Sequence, residues 1–140
     1  MTTTTIHNRF DPAKNVDSIA FRQDRVLQSA ELNELQAGFA HRLRGLGDAL
    51  FKNGDVLRGA RIIVNPTTGD TMAEDGAIWL AGALRGVPPA SLAVPVVGVV
   101  HVGVYLQSRL VTELEDPTLL NPAAGTPSYQ EPGAARYVID

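Results

Sequence analysis

Residues 29–54 read Ser29-Ala-Glu-Leu-Asn-Glu-Leu-Gln-Ala-Gly-Phe-Ala-His-Arg-Leu-Arg-Gly-Leu-Gly-Asp-Ala-Leu-Phe-Lys-Asn-Gly54. Within them Leu32, Leu35, Phe39, Leu43, Leu46 and Leu50 recur at intervals of 3, 4, 4, 3 and 4, the repeat of one face of an α-helix. The spacing predicts a helix over about residues 30–52, some 34 Å long at about 1.5 Å per residue. Ser29 is placed to cap its first turn, Glu31 and Glu34 to complement the positive end of its dipole, and Asn53-Gly54 to end it in a left-handed stop. The seam is not a strict heptad, because continuing Leu32, Leu35 and Phe39 puts Arg42 in it. Packing on a sheet or in a short bundle therefore competes with a long coiled coil.

Upstream, residues 1–28 scatter Ile6, Phe10, Val16, Ile19, Phe21, Val26 and Leu27 among polar and turn-forming residues with no sustained period. This reads as an extended arm that buries too little to order itself and must lie on its own domain, a sister subunit or a partner. Its first six residues suit a frayed start. Downstream the period changes to two. Val56, Ala60, Ile62 and Val64 alternate into the turn Asn65-Pro-Thr-Thr-Gly69, and a further strand or pair of strands is expected within residues 71–86. There Ile78, Leu80 and Leu84 mark one face and Trp79 the other, and Val87-Pro-Pro-Ala90 interrupts.

The stretch Val94 to Leu106 is apolar on both alternating faces, which predicts a buried central strand or a strand at a subunit interface, with Pro95 at its start. Gln107 to Leu114 continues it or turns back. Pro117, Pro122, Pro127 and Pro132 then punctuate a loop, and Ala134 to Asp140 reads as a strand left unfinished, as in a polypeptide that continues. The resulting class is α+β: an extended arm (1–28), one long amphipathic helix (29–54), a mainly antiparallel β domain (55–114), and a proline-rich loop with a terminal strand (115–140).

Composition narrows function mostly by exclusion. The 140 residues contain no cysteine, which removes disulfide scaffolds, thiolate metal sites and cysteine nucleophiles. Twelve Lys+Arg against 15 Asp+Glu give a net charge of −3, with no global drive toward nucleic acid or anionic membranes. No apolar run approaches the roughly 20 residues of a membrane span, and the start lacks the features of a signal peptide. His7, His41 and His101 form no metal-ligand spacing, and the five serines include no nucleophile elbow. The glycines form no phosphate loop. Two acidic clusters, Asp70, Glu74, Asp75 and Glu113, Glu115, Asp116, lack calcium-loop spacing and read as solvated loop charge, a metal at the second being left open. No catalytic residue, cofactor or metal is expected, and the chain is not read as an enzyme.

Several blocks carry a resemblance. Asn8-Arg-Phe-Asp-Pro12, Phe21-Arg-Gln-Asp-Arg-Val-Leu-Gln-Ser-Ala-Glu-Leu-Asn-Glu-Leu-Gln36, Leu46-Gly-Asp-Ala-Leu-Phe-Lys-Asn-Gly54, Thr112-Glu-Leu-Glu-Asp-Pro117 with Leu119 and Leu120, and Glu131-Pro-Gly-Ala-Ala-Arg136 span nearly the whole chain. Together they resemble the N-terminal region of a family of tail-fibre and baseplate proteins of tailed bacteriophages. The resemblance implies a structural virion protein, an attachment domain linking a tail fibre to the baseplate as a homotrimer, made in the host cytoplasm and located in the phage tail. It implies longer polypeptides than this one. Phe10, Ile19, Phe21, Arg22, Arg25 and Val26 would then dock on baseplate or other tail proteins. Leu32, Leu35, Phe39, Leu43, Leu46 and Leu50 would pack between helix and strands or around the threefold axis. The competing expectation, a glycan-binding or depolymerising tailspike module, needs aromatic platforms or paired carboxylates, and the chain holds one Trp, three Tyr and four Phe.

Overall fold

The computed structural model describes residues 5–140 and divides into two units, Met1–Gly98 and Val99–Asp140. Of the expected frayed start, residues 1–4 lie outside the described residues. The described chain is a mixed α+β fold with mainly β content, one α-helix with several antiparallel sheets.

Helix α1 spans Ser29–Leu50. Its start is one residue earlier than the capping argument placed it. Gln28, with extended backbone, is the cap residue, and its own N–H donates to the Glu31 carboxylate at 3.0 Å. Ser29 is already helical, so the reciprocal reach of an acid three residues into the helix takes over the role assigned to its hydroxyl. At the other end the helix stops two residues short of the expected 52. Phe51 turns extended while its N–H still donates to the Gly47 carbonyl at 2.8 Å. Asn53-Gly54 forms the turn that follows, with Gly54 at φ 98°, a conformation only glycine adopts freely.

The chain then builds a three-stranded antiparallel meander whose strands all bend at mid-length. The first is β1 (Val56–Gly59) running into β2 (Ile62–Val64), the second β3 (Asp70–Ala73) into β4 (Gly76–Leu80), and the third β5 (Ala83–Val87) into β6 (Ala90–Ala93). Because every strand bends, the hydrogen-bonded ladders fall into two sheets, ordered β1-β4-β5 and β2-β3-β6. Each bend has a local cause. Gly59 and Ala60 both take φ 52°, and a Cβ on Gly76 would lie 2.1 Å from the Ala60 nitrogen, so only glycine fits opposite that kink. Pro88-Pro89, which supply no amide donors, separate β5 from β6. The Asn65–Gly69 turn forms as expected, closed by Gly69 N–H to the Asn65 carbonyl at 2.8 Å and by the Asn65 side chain accepting from Thr67 N–H.

The middle strand is the core. Ala73, Ala77, Ile78 and Trp79 are buried, and adjacent buried residues in β4 mean that both of its faces are covered. The two-sided strand within this chain is thus β4. Val94 to Leu106 is not a buried central strand here: Val94 N–H continues the ladder to the Gly69 carbonyl, and from Pro95 to Leu106 the backbone makes no hydrogen bond to any described backbone group.

In the second unit β7 (Ser108–Val111) pairs antiparallel with β8 (Arg136–Ile139) along its full length. The strand expected at the C-terminal end is therefore paired, and Gln107 to Leu114 supplies its partner. Between them Pro117–Leu119 forms one 3-10 turn, and Leu120 bridges to Pro132. Among the described residues no helix is long and apolar enough to cross a membrane.

Candidate functional site

Helix α1 meets the β1-β4-β5 sheet through an edge that carries none of its leucines. A Cβ on Gly47 would lie 2.0 Å from the Trp79 ring, so the indole occupies the space that a side chain would fill. Its Nε1–H donates to the Asp48 carboxylate at 2.8 Å, and Phe51 packs against it with ring centroids 5.7 Å apart. Gly54 N–H donates to the Trp79 carbonyl, Trp79 N–H to the Asp55 carbonyl, and Ala81 N–H to the Asn53 side chain. A glycine inside a helix costs about 1 kcal/mol relative to alanine; at position 47 the bare backbone admits the indole. That contact spans 32 positions and was not legible from periodicity, although an interior helical glycine is a signal that something approaches closely.

Docking by that edge leaves the leucine seam outside. Leu32, Leu35, Phe39, Leu43, Leu46 and Leu50 are all exposed, from 42% at Leu32 to 68% at Leu50. Six large apolar side chains lie in one stripe about 27 Å long at 1.5 Å per residue, Leu35 and Phe39 also lining a groove with Phe10 and Ile19, and exposed apolar patches on soluble proteins mark interaction sites.

The segment before the helix covers a neighbouring strip of it. Arg9 reaches Glu31 at 3.6 Å and Glu34 at 3.8 Å, Asn33 Nδ2 donates to the His7 carbonyl at 2.8 Å, and Arg42 donates to the Asp17 carbonyl and carboxylate. The Phe10 ring sits over Gly38 and 5.5 Å from the His41 ring. Phe10 and Ile19, expected to face a partner, are half-buried, and both line a shallow groove with Leu35 and Phe39. Phe21 and Val26 are exposed, Val26 at 87%. Arg22 and Arg25 both pair with Asp24 at the surface, at 2.9 and 3.6 Å; exposed pairs of this kind are worth about 0–1 kcal/mol.

Three of the six carboxylates in the acidic clusters have local partners. Glu74 binds Arg61 at 2.7 Å, a hydrogen bond and charge contact that hold the guanidinium still more firmly protonated, and Asp70 accepts from the Thr68 hydroxyl at 2.6 Å. Among the described residues no three His, Cys, Asp or Glu are grouped as metal ligands. Asp116 caps the 3-10 turn, accepting from the Thr118 hydroxyl at 2.6 Å and the Thr118 N–H at 3.0 Å, which lowers its pKa below the usual aspartate value. A depressed folded pKa adds stability that is present above the unfolded pKa and is lost as pH falls through the folded one. Thr118→Val removes the larger of the two causes, so the Asp116 carboxyl carbon should titrate at higher pH in that variant by NMR; an unchanged midpoint would refute the assignment.

A family model described as Domain of unknown function (DUF4815) matches residues 5–140. No curated protein and no solved structure matches the chain.

Proposed function

Taking as premise that the chain belongs to the DUF4815 family, we propose that it is a structural virion protein, the attachment domain that joins a phage tail fibre to the baseplate as a homotrimer. The observation that carries this reading is the exposed leucine seam of α1. A stripe of six apolar side chains that the chain's own sheet leaves exposed is material for an oligomer axis, where helices pack by seams of this width. The sequence blocks that resemble tail-fibre and baseplate proteins supply the setting. A cysteine-free chain suits assembly in the reducing host cytoplasm before incorporation into the tail.

In this reading residues 1–28 are a docking arm with two parts. Phe10 and Ile19 hold it on α1, while Phe21, Val26, Arg22 and Arg25 face outward toward a baseplate or other tail protein; aromatic and arginine anchors commonly dominate such contacts. A glycan-binding or depolymerising module draws less support, because the single Trp, best suited to stack on a sugar, is buried with its N–H on Asp48. The test is to delete residues 1–28 from the chain in the phage. The deleted protein should remain a folded oligomer and be missing from purified tails. Normal incorporation would overturn the arm as anchor, and hydrolysis of host polysaccharide by the purified chain would favour the rival.

A further inference from the structure

Residues 96–106, Val96-Val-Gly-Val-Val-His-Val-Gly-Val-Tyr-Leu106, carry no charge and no proline. They have the period and the composition of a strand, β-branched at six of eleven positions, and would extend about 36 Å at 3.3 Å per residue. Yet none of their eleven N–H and eleven C=O groups has a hydrogen-bonding partner among the described backbone groups. The flanking residues do: Val94 N–H bonds to Gly69, and Gln107 exchanges both of its bonds with Asp140. The gap in pairing therefore coincides with the most strand-like stretch of the chain.

Both alternating sets of positions are apolar and open, and a bend at residues 96–98, with Gly98 at φ 95°, keeps the single chain from running as a regular strand there. Val97 and Val99 are each 85% exposed and Tyr105 82% in one set, and Val96, Val100 and Val104 are exposed in the other. A strand laid along a sheet at the protein surface needs one apolar face; two such faces call for cover on both sides, as inside an assembly. The total exposed surface points the same way. The chain exposes 11136 Å², whereas two units of about 98 and 42 residues, folded separately, would expose about 8300 Å² together by the usual scaling of surface with mass. The excess, more than about 2000 Å², is shared with the residues before α1 and with its leucine seam, and is the scale of an obligate subunit interface.

We propose that residues 96–106 form a β-strand paired with a second copy of this chain, an inference that rests on the homo-oligomer proposed above. Three features select a second copy over a foreign protein. The segment offers no charged group for a steered or selective encounter, and apolar interfaces without charge are those of permanent subunits. Every copy supplies free strand edges to receive it, since β1 and β5 bound one sheet, β2 and β6 the other, and β7 and β8 have one neighbour each. Symmetric assembly also covers such an edge in every copy at once, where an open row of donors and acceptors would otherwise invite aggregation. Pro95, which has no N–H to contribute, marks where the chain leaves its own ladder.

The experiment is amide hydrogen exchange on the full chain, at a concentration where light scattering shows the oligomer and again after dilution to monomer. In the oligomer the amides of Val97, Val99, Val100, Val102 and Val104 should exchange about 100-fold or more slowly than in an unstructured peptide, and dilution should remove the protection. Protection that persists in the monomer would place the partner inside the chain and overturn the proposal. An oligomer whose segment exchanges freely would overturn it too, while leaving the trimer standing; a chain that is monomeric at every concentration would sink both. As a second arm, Val100→Pro deletes one ladder donor from a segment that is unpaired in the single chain. It should leave the circular dichroism of the monomer unchanged and weaken assembly about 100-fold; unchanged assembly would count against the strand.

Discussion

Trp79→Ala should lower the stability of the first unit by about 3–5 kcal/mol, the range for removing a buried aromatic side chain from a core. The indole is 8% exposed and is a large buried group that joins α1 to the sheet. It fills the space above Gly47, donates to Asp48, and packs against Phe51. Its removal leaves a cavity that the neighbouring glycine cannot fill. Urea unfolding followed by far-ultraviolet circular dichroism measures the loss, and a loss below about 1 kcal/mol would show that the helix is held in some other way. Gly47→Val approaches the same joint from the other side, since its first carbon would lie 2.0 Å from the ring. Overpacking of this kind costs about 1–3 kcal/mol. The two substitutions should be coupled by about 0.5–3 kcal/mol when combined, because the valine occupies the volume that the missing indole vacates.

That joint shows what a linear reading captures and what it passes over. The leucine seam was legible because six apolar residues at a mean spacing of 3.6 leave little choice but a helix. The Asn65–Gly69 turn and the break at Pro88-Pro89 were legible because their residues act within four positions. The side of α1 that meets the sheet was not, since it consists of a glycine, an aspartate and Phe51, whose common partner Trp79 lies about thirty residues downstream. The cap at Gln28 was missed for a related reason: the hydrogen bond belongs to Glu31, and the hydroxyl of Ser29 was the more familiar signal. The folding of one meander into two sheets depends on left-handed Gly59 and Ala60, and alanine gives no advance notice of that conformation.

The candidate surface divides along the same line. Alternation over residues 94–106 was visible, and it left open whether the strand lies in a core or at a subunit interface. Only the pairing could choose, and among the described residues the backbone of residues 95–106 pairs with no other backbone group. The segment before α1 is the converse. Its contacts with α1, Arg9 to Glu31 and Glu34, His7 to Asn33, and Phe10 over Gly38, join residues about 25 apart that carry no shared pattern, so its lack of periodicity could not reveal what it lies on.

If α1 lines the axis of the proposed homotrimer, the double variant Leu43→Glu with Leu46→Glu should convert it to a monomer at micromolar concentration while keeping the helix. Both positions are exposed in the single chain, at 51% and 63%, and glutamate is nearly as good a helix former as leucine, so the monomer's circular dichroism should be unchanged. In the proposed homotrimer the same positions would face their symmetry mates. Each buried leucine contributes about 1.5–3 kcal/mol by leaving water, and the replacements bring like charges from every copy to one axis without partners, which costs more still. Loss of two leucines per chain is therefore worth at least about 3 kcal/mol per chain, or more than a hundredfold in the association constant. Light scattering on the full chain measures the outcome. A variant that keeps the mass of the wild-type oligomer would show that the seam is not at the axis, and would move the oligomer contact to the other uncovered apolar stretch, residues 96–106. If instead the variant is monomeric and residues 96–106 lose their protection with it, helix seam and strand belong to one cooperative interface.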